Sequence, residues 1–245
     1  MNNAKPVAIV TGASRGIGAE IALRLANDGY AVVVNYQTNS QQAEQLVAEI
    51  IRKDGLALAV QADVSSLPDV KRLFEETKAR LGRIDVLINN AGVLQVVPFA
   101  QTSAEQLART FEINTYGSFL TMQQAGEYLQ TGGRIINVSS TTLALNMPGY
   151  ALYNGSKAAV EAFTRVLAKE LRGKEITVNA VAPGPVATEL FLKGKTEEQI
   201  AQFAKMPPLE RLGQPEDIAN VVAFLCSEQG GWVNGQVLRA NGGIG

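Results

Sequence analysis

Tyr153 and Lys157 stand four residues apart in a stretch with helical patterning, so their side chains share one helix face. An ammonium held beside a phenol favours the phenolate, and would bring the tyrosine pKa from about 10 towards neutrality. A tyrosine so placed serves as a general acid or base at physiological pH without help from histidine. The chain offers no such help, for it contains 0 His. Ser-His-Asp triads, Cys-His dyads and His-ligated metals are thereby excluded, and acid–base chemistry falls to carboxylate, Lys, Tyr or Cys. Ser140 follows the apolar run Arg134–Val138, on the carboxyl side of a strand, where open α/β sheets bind ligands. Asn114 is a fourth polar residue within a helical pattern, where it would also serve simply to bridge backbone. A Tyr and a Lys at this spacing also arise as an ordinary surface pair, so the elements that carry them matter.

Short apolar, β-branched runs predict strands at Val7–Val10, Ala31–Val34, Leu58–Gln61, Val86–Ile88, Arg134–Val138, Ile176–Val181 and Gln236–Arg239. Helical patterns are expected at Ala19–Asn27, Ser40–Lys53, Pro68–Leu81, Tyr153–Leu171 and Pro215–Cys226, and from Ala104 through Asn114 towards Leu129. Gly29, Gly55 and Gly82 lie just past three of these helices, as stop signals do. Strands too apolar to face water, alternating with helices, imply a parallel sheet covered on both faces. The expected fold is a single Rossmann-type, doubly wound α/β domain over residues 1–245.

Composition agrees. A chain of 245 residues, 46% hydrophobic and 18% charged, belongs to the folded globular class and is not disordered in bulk. A formal charge of −1 argues against nucleic acid or anionic membrane as the main partner. Cys226 is the single cysteine, so an internal disulfide and a CxxC zinc site are both excluded. Met1–Pro6 is short and polar, and no run approaches the roughly 20 apolar residues of a membrane span. A soluble, cytoplasmic protein without a metal is the expectation.

The first strand runs directly into Thr11-Gly12-Ala13-Ser14-Arg15-Gly16-Ile17-Gly18, with a helix immediately after. Glycines there allow a tight turn and let backbone approach a phosphate seated on the helix N-terminus. The same residues would also suit a plain βα turn. No Gly-Lys-Ser/Thr follows, so a Walker-type triphosphate loop is excluded. At the end of the second strand, Asn35, Tyr36, Gln37, Thr38, Asn39 and Ser40 carry no acid to bind a ribose 2′-hydroxyl and repel a 2′-phosphate. Arg15 adds a guanidinium suited to a phosphate. The combination favours NADP(H) over NAD(H).

Taken together, Thr11-Gly12 with Gly16-Ile17-Gly18, Asp63-Val64, Asn89-Asn90-Ala91-Gly92, Asn114, Ser140, Tyr153 with Lys157, and Pro183-Gly184 with Thr188 resemble the short-chain dehydrogenase/reductase family. The likeness runs over the whole chain, and Val32–Tyr36 is similar to NADPH-dependent polyketide and naphthol reductases of that family. The resemblance implies a dinucleotide whose pyrophosphate lies over Gly12 to Gly18, with its adenosine ribose near Asn35, Tyr36, Asn39 and Ser40. Asp63 would bind adenine with Val64 packing beside it, and Asn90, Ala91 and Gly92 would approach the ribose. Pro183, Gly184, Val186 and Thr188 would bracket the nicotinamide. Ser140 and Tyr153 would hold a carbonyl oxygen, Tyr153 would donate its proton, and Lys157 would bind the nicotinamide ribose and tune Tyr153. Asn114 would anchor a water that relays protons to Lys157. The resemblance further implies a homotetramer, built from the long helices and the segment Trp232–Arg239.

The substrate is less legible. Residues 189–209 hold Leu190, Phe191, Leu192, Ile200, Phe203 and Met206 among Lys and Glu, as an amphipathic lid over a pocket would. Leu143, Leu145, Met147 and Tyr150 suit a second apolar wall, and Val93 and Leu94 a third, although all of these would equally fill a core or a subunit contact. Such a pocket suits a small or aromatic ketone, an aldehyde or an acyl chain. The chain also resembles 3-oxoacyl-acyl-carrier-protein reductases, notably at Gly213–Ala219, yet Gln130-Thr131-Gly132-Gly133 lacks the basic residues that would meet an acidic carrier. A free small-molecule carbonyl is therefore the first expectation and a carrier-bound 3-oxoacyl group the second. A sensor that binds NADP(H) without turnover is a third, and a scaffold that binds no nucleotide a fourth.

Overall fold

A computed structural model describes residues 5–245; most of the Met1–Pro6 segment lies outside them. Among the described residues, β1 (Val7–Val10), β2 (Ala31–Tyr36), β3 (Leu56–Gln61), β4 (Val86–Asn89), β5 (Arg134–Val138), β6 (Thr177–Pro183) and β7 (Val237–Ala240) form one sheet in the order β3-β2-β1-β4-β5-β6-β7. Neighbouring strands pair in parallel throughout. Alternate residues feed two cores. Ala8, Val10, Val32 and Val34 face α1 (Gly16–Asn27), α2 (Ser40–Arg52) and α10 (Pro215–Cys226). Val7, Ile9, Ala31 and Val33 face α3 (Leu67–Leu81), α5 (Gly117–Tyr128) and α7 (Ala151–Glu170) on the other side. Burial on both faces explains why these strands read as continuous apolar runs.

The chain winds from β1 outward to β3, then returns to β4 on the other side of β1. Such a reversal opens a crevice at the carboxyl ends of the two central strands, where α/β sheets of this kind take their ligands. The loops after β1 and β4 flank it.

Two elements differ from expectation. Helix α1 starts at Gly16, three residues before the apolar pattern begins, because the glycine loop itself supplies its first turn. The predicted helix from Ala104 to Leu129 is not uniform. It consists of α4 (Ala104–Phe111), a π-helical turn (Glu112–Tyr116) and α5, with the Gly117 N–H donating to the Glu112 carbonyl. Asn114 sits in the middle of that turn and is fully buried. Strands β2, β3, β4, β6 and β7 are shifted or lengthened by one or two residues, as expected of boundaries.

A buried polar ladder crosses the sheet beside this turn. Thr121 Oγ1 donates to Asn89 Oδ1 at 2.6 Å, Asn89 Nδ2 to Asn137 Oδ1 at 2.9 Å, and Asn137 Nδ2 to Thr164 Oγ1 at 2.8 Å. Each amide is satisfied, so the ladder fixes α5 and α7 to the strands between them without an orphaned polar group.

Candidate active site

The glycine loop is held from beneath by side chains. Thr11 Oγ1 accepts from the main-chain N–H of both Asn90 and Ala91 at 3.0 Å, and Asn90 Nδ2 donates to the carbonyls of Thr11 and Gly12 at 3.0 Å. A Cβ on Gly18 would lie 2.4 Å from that Asn90 nitrogen, and one on Gly12 would lie 2.8 Å from Ala91 Cα. Loop and β4 turn therefore pack too closely for any residue but glycine at either position. Gly16, with φ +60°, takes the left-handed conformation that lets the next residues open α1.

Above this floor lies a cleft of about 330 Å³ lined by Gly12, Ser14, Arg15, Gly16, Ile17, Asn35, Tyr36, Asn39, Asp63, Val64, Asn90, Ala91, Gly92 and Thr188. Most of the predicted cofactor residues meet here. Gly18 lies behind the loop, and Ser40, the first residue of α2, does not line the cleft. Asn35 lines it, yet its amide is spent within the protein. Its Oδ1 accepts from Gly12 N at 3.2 Å and its Nδ2 donates to the carbonyls of Val60 and Ala62 at 3.2 and 3.1 Å. Asn39 caps α2 by accepting from Gln42 N. Arg15 reaches across the cleft to Glu189 at 3.2 Å, with both side chains exposed. An exposed pair of this kind is worth little, so the guanidinium is readily drawn to another anion. Asp63 is partly buried, which pushes its carboxyl up. The hydrogen bonds it accepts from Ser65 and Gln37 outweigh this and hold it below the usual range.

A second cavity, of about 140 Å³, adjoins the cleft and shares Ile17, Asn90, Gly92, Thr188 and Leu190 with it. Ser140, Tyr153 and Lys157 line it together with Pro183, Gly184 and Val186. Tyr153 lies in the first turn of α7 and Ser140 just past β5, so both reach the crevice from the carboxyl side of the sheet. The side-chain oxygens of Ser140 and Thr142 are 2.9 Å apart, and Thr142 N donates to Ser140 Oγ at 3.2 Å. Burial pushes the Tyr153 phenol up to about 12, against the opposite pull of the Ser140 hydroxyl. Burial likewise brings Lys157 down to about 8. The expected lowering of Tyr153 towards neutrality is thus absent. Lys157 Nζ donates to the Val138 carbonyl at 2.7 Å and lies 5.8 Å from the Tyr153 ring centroid, and burial dominates both groups.

Asn114 stands one shell behind. Its Oδ1 accepts from Val93 N at 2.8 Å, and its Nδ2 donates to Val93 O at 2.9 Å and to Ser156 Oγ at 3.0 Å. It fixes the loop after Gly92 to α7. Apolar walls come from Leu94, Leu145, Met147 and Tyr150, and from Leu190, Phe191 and Phe203 of the 189–209 segment. That segment folds as α8 (Glu189–Leu192) and α9 (Glu197–Lys205), joined by an edge-to-face contact of Phe191 and Phe203 at 5.2 Å. Leu143, Leu192, Ile200 and Met206 are not part of the wall, and Val93 lines the larger cleft instead. Ile244 and Thr142 also line the smaller cavity. Sequence reasoning missed both: Ile244 is brought there only by the tertiary fold, and Thr142 has no spacing signal. Among the described residues there is no cluster of acidic or cysteine side chains able to hold a metal, and no helix long and apolar enough to cross a membrane.

A parallel sheet with a glycine loop at its reversal point is the Rossmann-type architecture, and a serine, a tyrosine and a lysine gather beside that loop. The chain belongs to the short-chain dehydrogenase/reductase family: residues 12–245 match the family described as enoyl-(acyl carrier protein) reductase. A short-chain type dehydrogenase/reductase of Picea abies is 48% identical, covering 97% of this chain and 91% of that one. An NADPH-dependent aldehyde reductase-like protein of Arabidopsis thaliana, described as chloroplastic, is 42% identical over 97% of this chain and 93% of its own. Among solved structures, an angucycline C-6 ketoreductase with bound NADP superposes with a TM-score of 0.93 at 35% identity, covering 98% of this chain and 96% of that one.

Proposed function

We propose that the protein is an NADP(H)-dependent carbonyl reductase that reduces a small ketone or aldehyde to the alcohol, reversibly. The observation that carries this reading is the adjacency of the two cavities: Ser140, Tyr153 and Lys157 line an apolar chamber that opens directly onto the glycine-loop cleft. The cleft suits a dinucleotide. Gly12 and Gly18 bring backbone to its floor where a Cβ has no room, and Arg15 is a mobile-charge partner for a 2′-phosphate. The names of the Arabidopsis relative and of the NADP-bound ketoreductase favour the same cofactor.

When bound, the nicotinamide supplies the hydride. Ser140 donates to the substrate carbonyl oxygen and orients it. Tyr153, which keeps its proton at neutral pH because burial raises it to about 12, donates that proton as negative charge develops on the oxygen. Lys157, protonated below about pH 8, stabilises the phenolate left behind and binds the nicotinamide ribose hydroxyls. Asn114 holds the loop at Val93 in place and anchors the proton supply to Lys157. The apolar walls exclude water from the chamber, and the segment 189–209 acts as its lid. The exposed side chains of Phe119, Val166, Phe224 and Trp232 support a homotetramer. An NADPH-consuming activity in a chain whose only cysteine is buried and free supports a cytoplasmic setting.

The second reading, reduction of a 3-oxoacyl thioester, rests on the sequence resemblance at Gly213–Ala219; the matched family's wording supports only the carrier-bound acyl part of it, since an enoyl reductase saturates a C=C bond. Initial rates of NADPH and NADH consumption with aryl ketones, aldehydes, diketones and a 3-oxoacyl thioester decide between them. Fast turnover of free ketones with NADPH supports the proposal. A clear preference for the thioester replaces it with the second reading, and tight NADPH binding with no turnover on any substrate points to a sensor.

A further inference from the structure

The polar groups that line the smaller cavity can be accounted for one by one. Ser139 Oγ donates to Glu161 Oε1 at 2.7 Å, and Thr141 Oγ1 donates to Ala182 O at 3.0 Å while accepting from Asn241. Thr188 Oγ1 caps α8 and Lys157 Nζ is taken by Val138 O. Ser140 and Thr142 pair with each other. Two phenols remain, Tyr153 and Tyr150.

Tyr150 is only 6% exposed as a residue, yet its hydroxyl is not among the fully buried polar atoms left unpaired, and no protein group among the described residues bonds it, so solvent reaches it. Its main chain is anchored, with its N–H on Met147 O and its carbonyl accepting from Asn154, so the ring is held in the wall by the turn that opens α7. A molecule that fills the cavity displaces solvent from this hydroxyl, and it binds well only if it supplies a hydrogen bond in the solvent's place.

We infer that Tyr150 is a substrate-binding residue, and that the preferred substrate carries a second oxygen, a hydroxyl or a further carbonyl, beside the carbonyl that is reduced. The inference rests on the carbonyl-reductase reading and narrows its substrate class. The reacting oxygen is held by Ser140 and Tyr153, and the second one by Tyr150. The remaining contacts of the substrate are apolar, with Leu145, Met147, Phe191 and Ile244. A compact oxygenated aromatic or cyclic ketone fits this arrangement, whereas a simple alkyl ketone displaces solvent from the Tyr150 hydroxyl and offers it no hydrogen bond in return. Pockets built to hydrogen-bond an oxygen discriminate strongly against analogues that lack it.

The test compares acetophenone with its 2′-, 3′- and 4′-hydroxy derivatives, using NADPH, in the wild-type protein and in Tyr150→Phe. For at least one hydroxy isomer, wild-type kcat/KM is expected to exceed that for acetophenone by about tenfold or more. In Tyr150→Phe that ratio collapses towards one. The ratio cancels any general effect of the substitution on Tyr153 or on folding. Hydroxy isomers that are not preferred by the wild type, or a preference that survives in Tyr150→Phe, overturn the inference while leaving the reductase reading intact. Reduction of none of the four ketones overturns both.

Discussion

Lys157 is joined to Val138 by a 2.7 Å hydrogen bond from its ammonium to the strand-end carbonyl, and the two residues are nearly inaccessible to solvent. One carbonyl is the whole of the ammonium's compensation, and burial brings Lys157 from 10.5 down to about 8. The consequence is a pH dependence of stability. Below pH 8 the lysine is charged in both folded and unfolded chains, and the folded state carries the full penalty of the buried charge. Between about 8 and 10.5 the unfolded chain binds more protons than the folded one, so this penalty recedes and stability rises with pH. Without added nucleotide, the stability of the wild type relative to Lys157→Met is expected to increase from pH 7.5 to 9.5. Chemical denaturation at the two pH values measures it, and a difference that stays flat or falls contradicts the assignment.

The proposed proton donor can be removed alone. Tyr153→Phe retains the ring, and with it the wall of the cavity, but has no proton to give. Turnover of any reducible ketone is expected to fall by about 10²–10⁴-fold, while titration of intrinsic fluorescence still reports NADPH binding. Activity near the wild-type level would sink the catalytic assignment.

Arg15 is paired with Glu189 through an exposed contact that offers little resistance to exchange. If its guanidinium reads a 2′-phosphate, Arg15→Ala removes a charge-assisted hydrogen bond worth about 1.5–3 kcal/mol. The Kd for NADPH should then rise between about 10- and 150-fold, with a much smaller change for NADH. Equal losses for the two cofactors would show that Arg15 does not distinguish them.

Gly18→Ala places a methyl group 2.4 Å from Asn90 Nδ2 and 2.7 Å from the Gly12 carbonyl. The Asn90 amide cannot yield, since it already holds the carbonyls of Thr11 and Gly12. A destabilisation of about 1–3 kcal/mol is expected, with cofactor affinity at least tenfold weaker because the loop itself must move. Gly126→Ala is the control. A Cβ there meets only Leu171 Cδ2 at 3.9 Å, within helix α5, so stability should be unchanged or raised by up to about 1 kcal/mol. Thermal melts and NADPH titrations of both variants settle the comparison.

The sheet was legible because its strands are buried on both faces, and a run such as Val32-Val33-Val34 has no amphipathic alternative. Tyr153 and Lys157 were legible because helical spacing and chemistry coincide in one element. What spacing cannot carry is competition for a side chain. Asn35 lies where a ribose-binding residue was expected, yet three main-chain groups claim its amide. Lys157 shares a face with Tyr153, yet its ammonium donates its hydrogen bond to the strand carbonyl of Val138. Ile244 reaches the smaller cavity from the far end of the chain, a placement that only the completed fold specifies. Charge and periodicity describe a residue's neighbours in sequence, whereas these outcomes are decided by neighbours in space.

The π-helical turn at Glu112–Tyr116 gives the segment from Ala104 to Tyr128 two azimuthal phases. One residue in an α-helix corresponds to a rotation of about 100°, so the extra residue in the turn sets the face of α4 off from that of α5 by roughly this angle. The first phase leaves Leu107 and Arg109 on the outside, while the second turns Leu120, Thr121, Met122 and Ala125 inward. Removing a single residue from the turn would bring the two halves into one phase and pull Thr121 out of register with Asn89. The turn thus acts as a vernier: one surplus residue lets the same helix serve the outer surface and the sheet, with Asn114 marking where the scale changes.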